Sequence, residues 1–372
     1  MRTYYKSPVQ IEPWSPSSTQ PVPHPLTMFR SAILLSLTTL ALGLSTGDLT
    51  VTVNAVSAKV SSIEDIILTA VVSNPTDSDI RVIKLANVLD ESSSESFKVS
   101  KDGKDVDFTG IYAHADFTND LNFITIPAGQ SVAVNHTVSK LYNFESHGTG
   151  TFTFAPWSIF QNDVDQPALQ VSADPVSIEV TSDVAQRHLI DIASINSESR
   201  ASNPNCNDGG KLQTIRDSIS FARSLAGGAA QDIRNRPNSN EWNKFFGGNN
   251  RDEIWYKFDL IAGDVGNRQV YCNRDDGGGC DRFAAYVWNG HVYMCDNFFS
   301  FQGTPDVCRQ PIEQINNSKG GVMLHELSHA TGGTADHVYG CQAVQGLSAQ
   351  QKGTCADNYQ CMALNVYRIF NC

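Results

Sequence analysis

Cysteine is absent from the first 205 residues of this 372-residue chain, and all nine cysteines lie between Cys206 and Cys372. Such a density in a short, loop-rich stretch is typical of a disulfide framework formed in an oxidising compartment. Long hydrophobic runs are also missing, because the most apolar stretch, residues 32–44, is too short for a comfortable membrane span. We therefore expect disulfide bonds in the second half of the chain and no membrane as a partner.

Positive charge is scarce as well, since 27 basic residues stand against 39 acidic ones and the net charge is -12. The imbalance lies almost wholly before Ala201, where 12 basic and 22 acidic residues occur, against 15 and 17 in the rest of the chain. Phosphate backbones repel an acidic protein, which excludes nucleic acid as an expected partner. The uneven charge and the uneven cysteine content together predict two domains of different character.

The N-terminal region carries the pattern of an export signal, although not at the first residue. Residues 1–27 are polar and rich in Pro and Ser, and we expect them to be a non-structural extension. Met28 and Arg30 then precede the apolar stretch 32–44, and three small residues follow it. A basic start, a short apolar core and a small-residue exit predict a signal peptide over 28–47 and a secreted, extracellular protein. A short N-terminal anchor helix is the alternative.

The first half of the chain has the pattern of a β-domain. Apolar and polar residues alternate over most of 49–181, as in Leu49, Val51 and Val53, and turn signals such as Asn74-Pro75 interrupt the alternation. Many short strands at this spacing are typical of an antiparallel β-sandwich. We therefore predict an all-β, sandwich-like domain over 48–200.

From residue 201 onward the pattern becomes that of an α+β domain, which we assign to 201–372. Asn289-Gly290 between two apolar runs predicts a β-hairpin. Apolar residues at helical spacing predict four helices, over 210–234, over 252–262, over about 319–331 and from the cap residue Ser348 onward.

The third of these helices contains His325-Glu326-Leu327-Ser328-His329, which has the pattern HExxH. Positions four apart lie on one face of a helix, so two imidazoles can bind one Zn²⁺. The glutamate next to the first histidine can accept a proton from the attacking water. His325 and His329 are therefore candidate zinc ligands and Glu326 the candidate general base; a pair of core histidines is the structural alternative.

A catalytic zinc requires a third protein ligand and an open fourth position. No glutamate occurs after Glu326, which excludes a downstream glutamate as that ligand. In the extended pattern HExxHxxGxxH, Ala335 replaces the last histidine. The residues themselves leave three candidates open, namely Asp336, His337 and the more distant Asp357.

The loop Gly333-Thr334-Ala335-Asp336-His337-Val338-Tyr339-Gly340 resembles the GTxDxxYG loop of the deuterolysin (aspzincin) metalloendopeptidases, which include fungal neutral protease 2 and peptidyl-Lys metalloendopeptidases. The resemblance implies a zincin-like α+β catalytic domain with one Zn²⁺ per chain and protein or peptide substrates. It also implies that Asp336 is the third zinc ligand and that Tyr339 stabilises the oxyanion. The link from His329 to Asp336 is shorter than in the family, and Gly332-Gly333 allows the sharp turn it requires.

The same resemblance extends to the substrate pocket and the disulfide bonds. On the closing helix, Ala356-Asp357-Asn358-Tyr359 resembles the family's sequence and implies that Asp357 lines the S1′ pocket. Gln360 stands where a second carboxylate would help, so the implied preference is for basic P1′ residues without strict lysine specificity. The resemblance implies three disulfide bonds: Cys206–Cys272, Cys280–Cys295 and Cys308–Cys372. Cys341, Cys355 and Cys361 are then additional, and their odd number leaves one thiol unpaired or intermolecular.

The β-rich half resembles the propeptides of this family in the segments Phe108-Thr109-Gly110-Ile111, Tyr142-Asn143-Phe144 and Phe152-Thr153-Phe154. The resemblance implies a zymogen that is cleaved after Arg200 or, alternatively, after Arg187. We expect the enzyme to be a monomer. Its own propeptide would then be an inhibitor or a folding chaperone.

Because this half has no cysteine, an inhibitory group on the zinc would be a carboxylate or a histidine such as His114 or His147; steric blockade is the other route. The alternative function is a catalytically inactive zinc-binding or adhesion protein with the β-sandwich as its functional module.

Overall fold

The computed structural model describes residues 43–118, 120–187, 201, 203–266, 268–312 and 315–372. The predicted extension 1–27, most of the predicted signal peptide and Arg200 lie outside these described residues. Across the described part of the chain, no helix combines the length and the apolar character needed to cross a membrane.

The β-rich half consists of short strands, because turn signals interrupt the apolar alternation every few residues. In chain order the strands are β1 (Thr50–Ala55), β2 (Lys59–Ser62), β3 (Ile67–Ser73), β4 (Ile80–Ile83), β5 (Phe97–Lys101), β6 (Lys104–Asp105), β7 (Ile111–Ala115), β8 (Phe123–Ile126), β9 (Ser131–Thr137), β10 (Gly150–Pro156), β11 (Ile159–Phe160), β12 (Leu169–Gln170) and β13 (Val176–Asp183).

Two sheets of this half share one hydrophobic core. One sheet has the order β1-β3-β9, and the other has the order β2-β13-β10-β5-β6. Leu68 and Val72 of β3 are buried in the same cluster as Phe152 and Phe154 of β10. Because side chains alternate between the two faces of a strand, the apolar alternation in the sequence marks the faces that meet in this core.

The C-terminal half is mostly helical and has a small sheet, as the α+β prediction requires. Its elements are α1 (Gly209–Asn235), α2 (Asn240–Phe246), α3 (Arg251–Ala262), β14 (Val270–Tyr271), β15 (Phe283–Trp288), β16 (His291–Met294), α4 (Lys319–Gly332), α5 (Ala349–Thr354) and α6 (Ala356–Asn371).

Helix α4 is the centre of this half, and it is buried from Gly320 to His329 with α1, α3 and α6 packed around it. Gly320 allows α1 to approach closely, because a Cβ at this position would overlap the Phe221 ring. The helix ends where Gly333 adopts the left-handed conformation, with φ of 61° and ψ of 43°. The predicted helix with two glycines at its end is confirmed.

A small sheet of order β14-β16-β15-β7 contacts α4. β15 and β16 form the predicted hairpin, in which Asn289 and Gly290 have φ of 49° and 73°, as a type I′ turn requires. The edge strand β7 comes from the β-rich half and pairs antiparallel with β15, with Ala113 opposite Tyr286. The β-rich half therefore supplies the last strand of the C-terminal sheet.

The prediction of one long last helix from Ser348 is wrong. Ser348 caps only α5, and α6 begins after Cys355. The break arises because Ala335 pairs with the chain between the two helices: its N–H donates to the Thr354 carbonyl at 2.7 Å, and its carbonyl accepts from the Ala356 N–H at 3.0 Å. This pairing fixes the backbone immediately before Asp336.

Four disulfide bonds cross-link the described residues of the C-terminal half. The bond between Cys341 and Cys361 joins the segment after Tyr339 to α6, and Cys355 remains a buried thiol. The other three bonds are the pairs that the resemblance implies: Cys206–Cys272, Cys280–Cys295 and Cys308–Cys372.

Candidate metal centre and active site

Three side chains meet at one buried point, two from α4 and one from the loop 333–340, which we call the metal loop. His325 and His329 lie one turn apart, and their Nε2 atoms are 3.0 Å apart. Asp336 Oδ1 lies 3.2 Å from the Nε2 of His325 and 3.3 Å from that of His329. The structure therefore brings together the three residues named above as zinc ligands.

The other ring nitrogens of the two histidines fix the direction of the Nε2 lone pairs. Nδ1 of His325 lies 2.7 Å from Asp357 Oδ1, and Nδ1 of His329 lies 2.8 Å from the Thr334 carbonyl. A carboxylate and a carbonyl only accept hydrogen bonds, so each Nδ1 carries the proton and each Nε2 is an acceptor. Three acceptor atoms, including Asp336 Oδ1, thus face one another in a buried site.

This set of atoms fits a zinc ion. Buried acceptors repel one another unless a cation binds between them. Tetrahedral zinc with bonds of about 2.0–2.1 Å holds its ligand atoms about 3.3 Å apart, and the three distances here are 3.0, 3.2 and 3.3 Å.

Glu326 lies beside this centre with only one of its carboxylate oxygens in use. Its Oε1 accepts the backbone N–H of His114 at 3.0 Å, whereas Oε2 is buried and has no hydrogen-bond partner among the described residues. Burial raises the pKa of Glu326 to about 7. A carboxyl group with a pKa near neutrality is well suited to exchange protons with water.

Tyr339 and Asp336 line the same small cavity. The Tyr339 ring packs against the ring of Phe117, with centroids 4.9 Å apart. Burial raises the pKa of Tyr339 well above its ordinary value, and the carboxylates of Asp336 and Asp90 raise it further. The phenol therefore keeps its proton and remains a hydrogen-bond donor.

Asp357 is used differently from the S1′ role that the resemblance implies. The side chain is buried; its Oδ1 binds Nδ1 of His325, and its Oδ2 accepts the Gly340 N–H at 2.6 Å. Asp357 therefore orients the His325 imidazole and holds the end of the metal loop. His337, another candidate for the third ligand, is directed elsewhere, because its Nε2 lies 2.8 Å from Thr354 Oγ1.

We expect Asp357→Asn to weaken zinc binding by about 10–100-fold, the usual effect of removing the partner of a ligand imidazole. The amide oxygen can still accept from His325, but the amide nitrogen cannot accept the Gly340 N–H, which loses its partner. Competition with a chromogenic chelator measures the affinity. Asp217→Asn, at an exposed position of α1, is the control; equal zinc affinity in both variants would contradict a positioning role for Asp357.

Strand β7 contacts the centre through its backbone and through the Tyr112 ring. The N–H groups of Ala113 and His114 donate to Asp336 Oδ2 at 2.9 Å and to Glu326 Oε1 at 3.0 Å. The Tyr112 ring stacks on that of His329, with centroids 4.9 Å apart and an interplanar angle of 8°. Sequence reasoning gave His114 only as one of two candidate inhibitory histidines. It could not predict the contact with Glu326, because no local pattern encodes a contact between residues 212 positions apart.

The β-rich half also holds the metal loop. Gln161 brackets the backbone of Tyr339: its Oε1 accepts the N–H at 2.7 Å, and its Nε2 donates to the carbonyl at 3.0 Å. Asp165 accepts from Asn316 Nδ2 at 3.0 Å and from the Gln342 N–H at 2.9 Å. Gln161 and Asp165 lie in polar loop sequence without a motif, and sequence reasoning missed both.

Comparison with known proteins agrees with this geometry. The family described as lysine-specific metallo-endopeptidase matches residues 230–363. Neutral protease 2 homolog MEP6 of Coccidioides posadasii is 25% identical over 318 residues, 80% of this chain and 87% of that protein. The peptidyl-Lys metalloendopeptidase of Armillaria mellea is 24% identical over 342 residues, 82% of this chain and 89% of that protein.

An HExxH helix with a carboxylate supplied by the following loop defines a zinc-dependent metallopeptidase. The family match and the relatives then assign the chain more closely. The chain is a zinc metalloendopeptidase similar to the deuterolysin, or aspzincin, enzymes, and its substrates are proteins or peptides.

Proposed function

We propose that this metalloendopeptidase is secreted as an inactive zymogen, with residues 48–200 as its propeptide and residues 201–372 as its catalytic domain. The observation that carries the proposal is the pair of hydrogen bonds from the β7 backbone to Asp336 and Glu326. While the chain's own backbone binds these two carboxylates, no other peptide can occupy the same position.

In the mature enzyme, His325, His329 and Asp336 hold one zinc ion. Zinc at such a site supplies a Lewis acid that polarises a carbonyl and lowers the pKa of water. Glu326 accepts a proton from the attacking water and passes it to the leaving nitrogen, a role supported by its unpaired Oε2 and its raised pKa. Tyr339 donates a hydrogen bond to the developing oxyanion, which its retained proton supports.

Inhibition in this proposal results from blockade by β7. Peptides commonly bind proteins by adding a strand to an exposed sheet edge. In this sheet β15 becomes the edge strand only when β7 has left. The rings of His114 and His325 pack edge to face, with centroids 5.0 Å apart. The Nε2 of His114 lies 3.0 Å from Asn317 Oδ1. Because these contacts already engage the His114 ring, they support inhibition by the β7 backbone rather than by a propeptide histidine that binds the zinc.

Maturation requires cleavage in the junction between the two halves. Arg187 is engaged by two carboxylates, Glu64 at 2.8 Å and Asp183 at 2.7 Å, which favours the bond after Arg200 over the bond after Arg187. The disulfide-bonded C-terminal half and the predicted signal peptide support secretion. A complete set of zinc ligands within one chain supports a monomeric enzyme.

A basic P1′ residue is not a requirement in this proposal. Both oxygens of Asp357 already accept hydrogen bonds, and Gln360 is buried with its Nε2 donating to the Asn316 carbonyl at 2.6 Å. The helix α6 therefore contributes no unpaired carboxylate at these two positions.

The full chain, cut in its junction by an added protease and separated from the β-rich fragment, tests the proposal. We expect zinc-loaded separated enzyme to degrade casein, the uncut chain to be inactive, and the β-rich fragment added back in excess to suppress the activity again. A metal chelator and a boiled fragment are the controls. Recovery of activity without suppression by the fragment would favour a folding chaperone, and no activity in any sample would favour the inactive zinc-binding alternative.

A further inference from the structure

The peptide bond between Ala113 and His114 lies against the carboxylates of Glu326 and Asp336. In amide hydrolysis the general acid must reach the nitrogen that leaves. For this bond that atom is the His114 nitrogen, which lies 3.0 Å from Glu326 Oε1. The preceding N–H, that of Ala113, donates to Asp336 Oδ2 at 2.9 Å, so contacts to the metal centre flank the Ala113 carbonyl on both sides.

The His114 side chain fills a pocket on one side of this bond. It is 3% exposed, and its ring contacts the rings of His325 and Phe301 at centroid separations of 5.0 and 6.4 Å. Its Nε2 lies 3.0 Å from Asn317 Oδ1, whereas Nδ1 is buried without a partner among the described residues. Nε2 therefore carries the proton and the Asn317 amide oxygen accepts it.

The walls of this pocket are tied to the helix that carries the zinc ligands. Asn317 precedes the N-cap residue Ser318 of α4, and its carbonyl accepts the Gln302 N–H at 3.3 Å. The Lys319 N–H donates to the Gln302 carbonyl at 2.9 Å, and the Lys319 ammonium group donates to the Phe301 carbonyl. The pocket is thus held at a fixed distance from the centre, as a specificity pocket must be.

We propose that β7 is bound in the direction and register of a substrate, with Ala113 in S1 and His114 in S1′, and that Asn317 selects the P1′ side chain. This inference rests on the proposed function and adds to it a cleavable bond and a substrate class. The favoured substrates are peptides whose P1′ side chain is a planar group with an N–H donor, such as histidine.

Two other kinds of P1′ residue fit the pocket less well. A phenylalanine ring has no N–H and leaves the Asn317 oxygen unpaired in a buried site. A lysine ammonium finds no unpaired carboxylate oxygen at Asp357, because that side chain already accepts from His325 and from Gly340.

Once the strand leaves the folded zymogen, its segment is therefore a substrate of the mature enzyme. Water adds to the carbonyl carbon of Ala113, and the C–N bond to His114 breaks. The oxygen of the water remains in the new Ala113 carboxylate, and both of its protons end on the His114 nitrogen as an ammonium group. The reaction needs no further reactant.

The test uses the full chain cut in its junction, separated from the β-rich fragment and loaded with zinc, together with a synthetic peptide of residues 108–118. We expect mass spectrometry to find one cut, between Ala113 and His114. Peptides carrying His114→Phe or His114→Lys are expected to be cut about tenfold less efficiently in kcat/KM, because a buried hydrogen-bond partner is lost.

Asn317→Ala is expected to lower kcat/KM for the natural peptide about tenfold and to raise it for the His114→Phe peptide, because the phenylalanine ring no longer leaves a buried amide oxygen unpaired. Asn238→Ala, at an exposed position, is the matched control. Casein cleavage by each variant shows that it is folded and active.

Casein cleavage with the peptide uncut, or cut at another bond, overturns the substrate register while the proposed function stands. An Asn317→Ala enzyme that keeps the preference for histidine overturns the role of Asn317. If neither casein nor the peptide is cleaved, the proposed function fails and this inference fails with it.

Discussion

Glu326→Gln is expected to lower kcat/KM of the mature enzyme by roughly 10²–10⁴-fold, the contribution of a general acid–base group. The amide has nearly the size of the carboxylate and can still accept a backbone N–H, but it cannot take a proton from water. Because Glu326 is not one of the three clustered ligands, we expect the zinc content to remain one ion per chain. Peptide hydrolysis and elemental analysis of the same preparation measure the two quantities.

Glu253→Gln provides the matched control, since this residue is exposed in the first turn of α3. Its kcat/KM and zinc content are both expected to equal those of the unaltered enzyme. Should Glu326→Gln retain more than a tenth of the activity, Glu326 would not be the proton carrier; should it lose its zinc, the residue would act in metal binding instead.

Ala113→Pro in the full chain is expected to produce activity without cleavage of the junction. Proline has no N–H, so the hydrogen bond to Asp336 is lost, and the ring carbon would overlap the carboxylate oxygen that now lies 2.9 Å from the nitrogen. A hydrogen bond to a charged group contributes about 1.5–3 kcal/mol, so the open state gains roughly 10- to 100-fold in population. Hydrolysis of a short fluorogenic peptide by uncut chain measures the gain.

The position tolerates proline because β7 is an edge strand, where a missing N–H does not interrupt a sheet. Ala113→Gly keeps the N–H and is expected to stay inactive, which separates the loss of the hydrogen bond from a general loosening of β7. Thermal unfolding of both variants checks that the β-rich core is intact. An inactive Ala113→Pro chain with a normal unfolding transition would show that β7 does not block the centre.

The helix that carries His325 and His329 could be predicted from sequence because its determinants are local. Helical spacing of apolar residues, the HExxH pattern and the terminating glycine at Gly333 all lie within one stretch of about fifteen residues, and each acts on its own neighbours. The hairpin at Asn289-Gly290 was predictable for the same reason, since its turn needs two residues with positive φ.

The rest of the centre depends on contacts between distant segments, and local pattern leaves these open. Spacing alone left Asp336, His337 and Asp357 as candidates, and only the resemblance chose among them. The hydrogen bond from His325 to Asp357 could not be predicted, because the sequence does not show whether a carboxylate faces a substrate or a histidine. The false extension of the last helix to Ser348 has a related cause: Ala335 breaks it through a pairing that no helical propensity records.

The pairing of β7 with β15 was the least predictable feature, because strand register between two halves of a chain is set by tertiary packing. The sequence did supply a useful constraint. Because the β-rich half has no cysteine, a thiolate from it cannot bind the zinc, which leaves a carboxylate, a histidine or steric blockade as routes of inhibition.

Removal of β7 leaves the backbone N–H and C=O groups along one side of β15 without partners. Such an edge binds any extended chain, including another copy of the same enzyme, and is therefore prone to aggregation. In the proposed zymogen, residues 48–200 therefore keep this strand edge covered during folding and export, when the local protein concentration is high. After maturation the same surface is expected to favour unfolded or extended proteins over compact ones, so solubility and substrate choice depend on one strand edge.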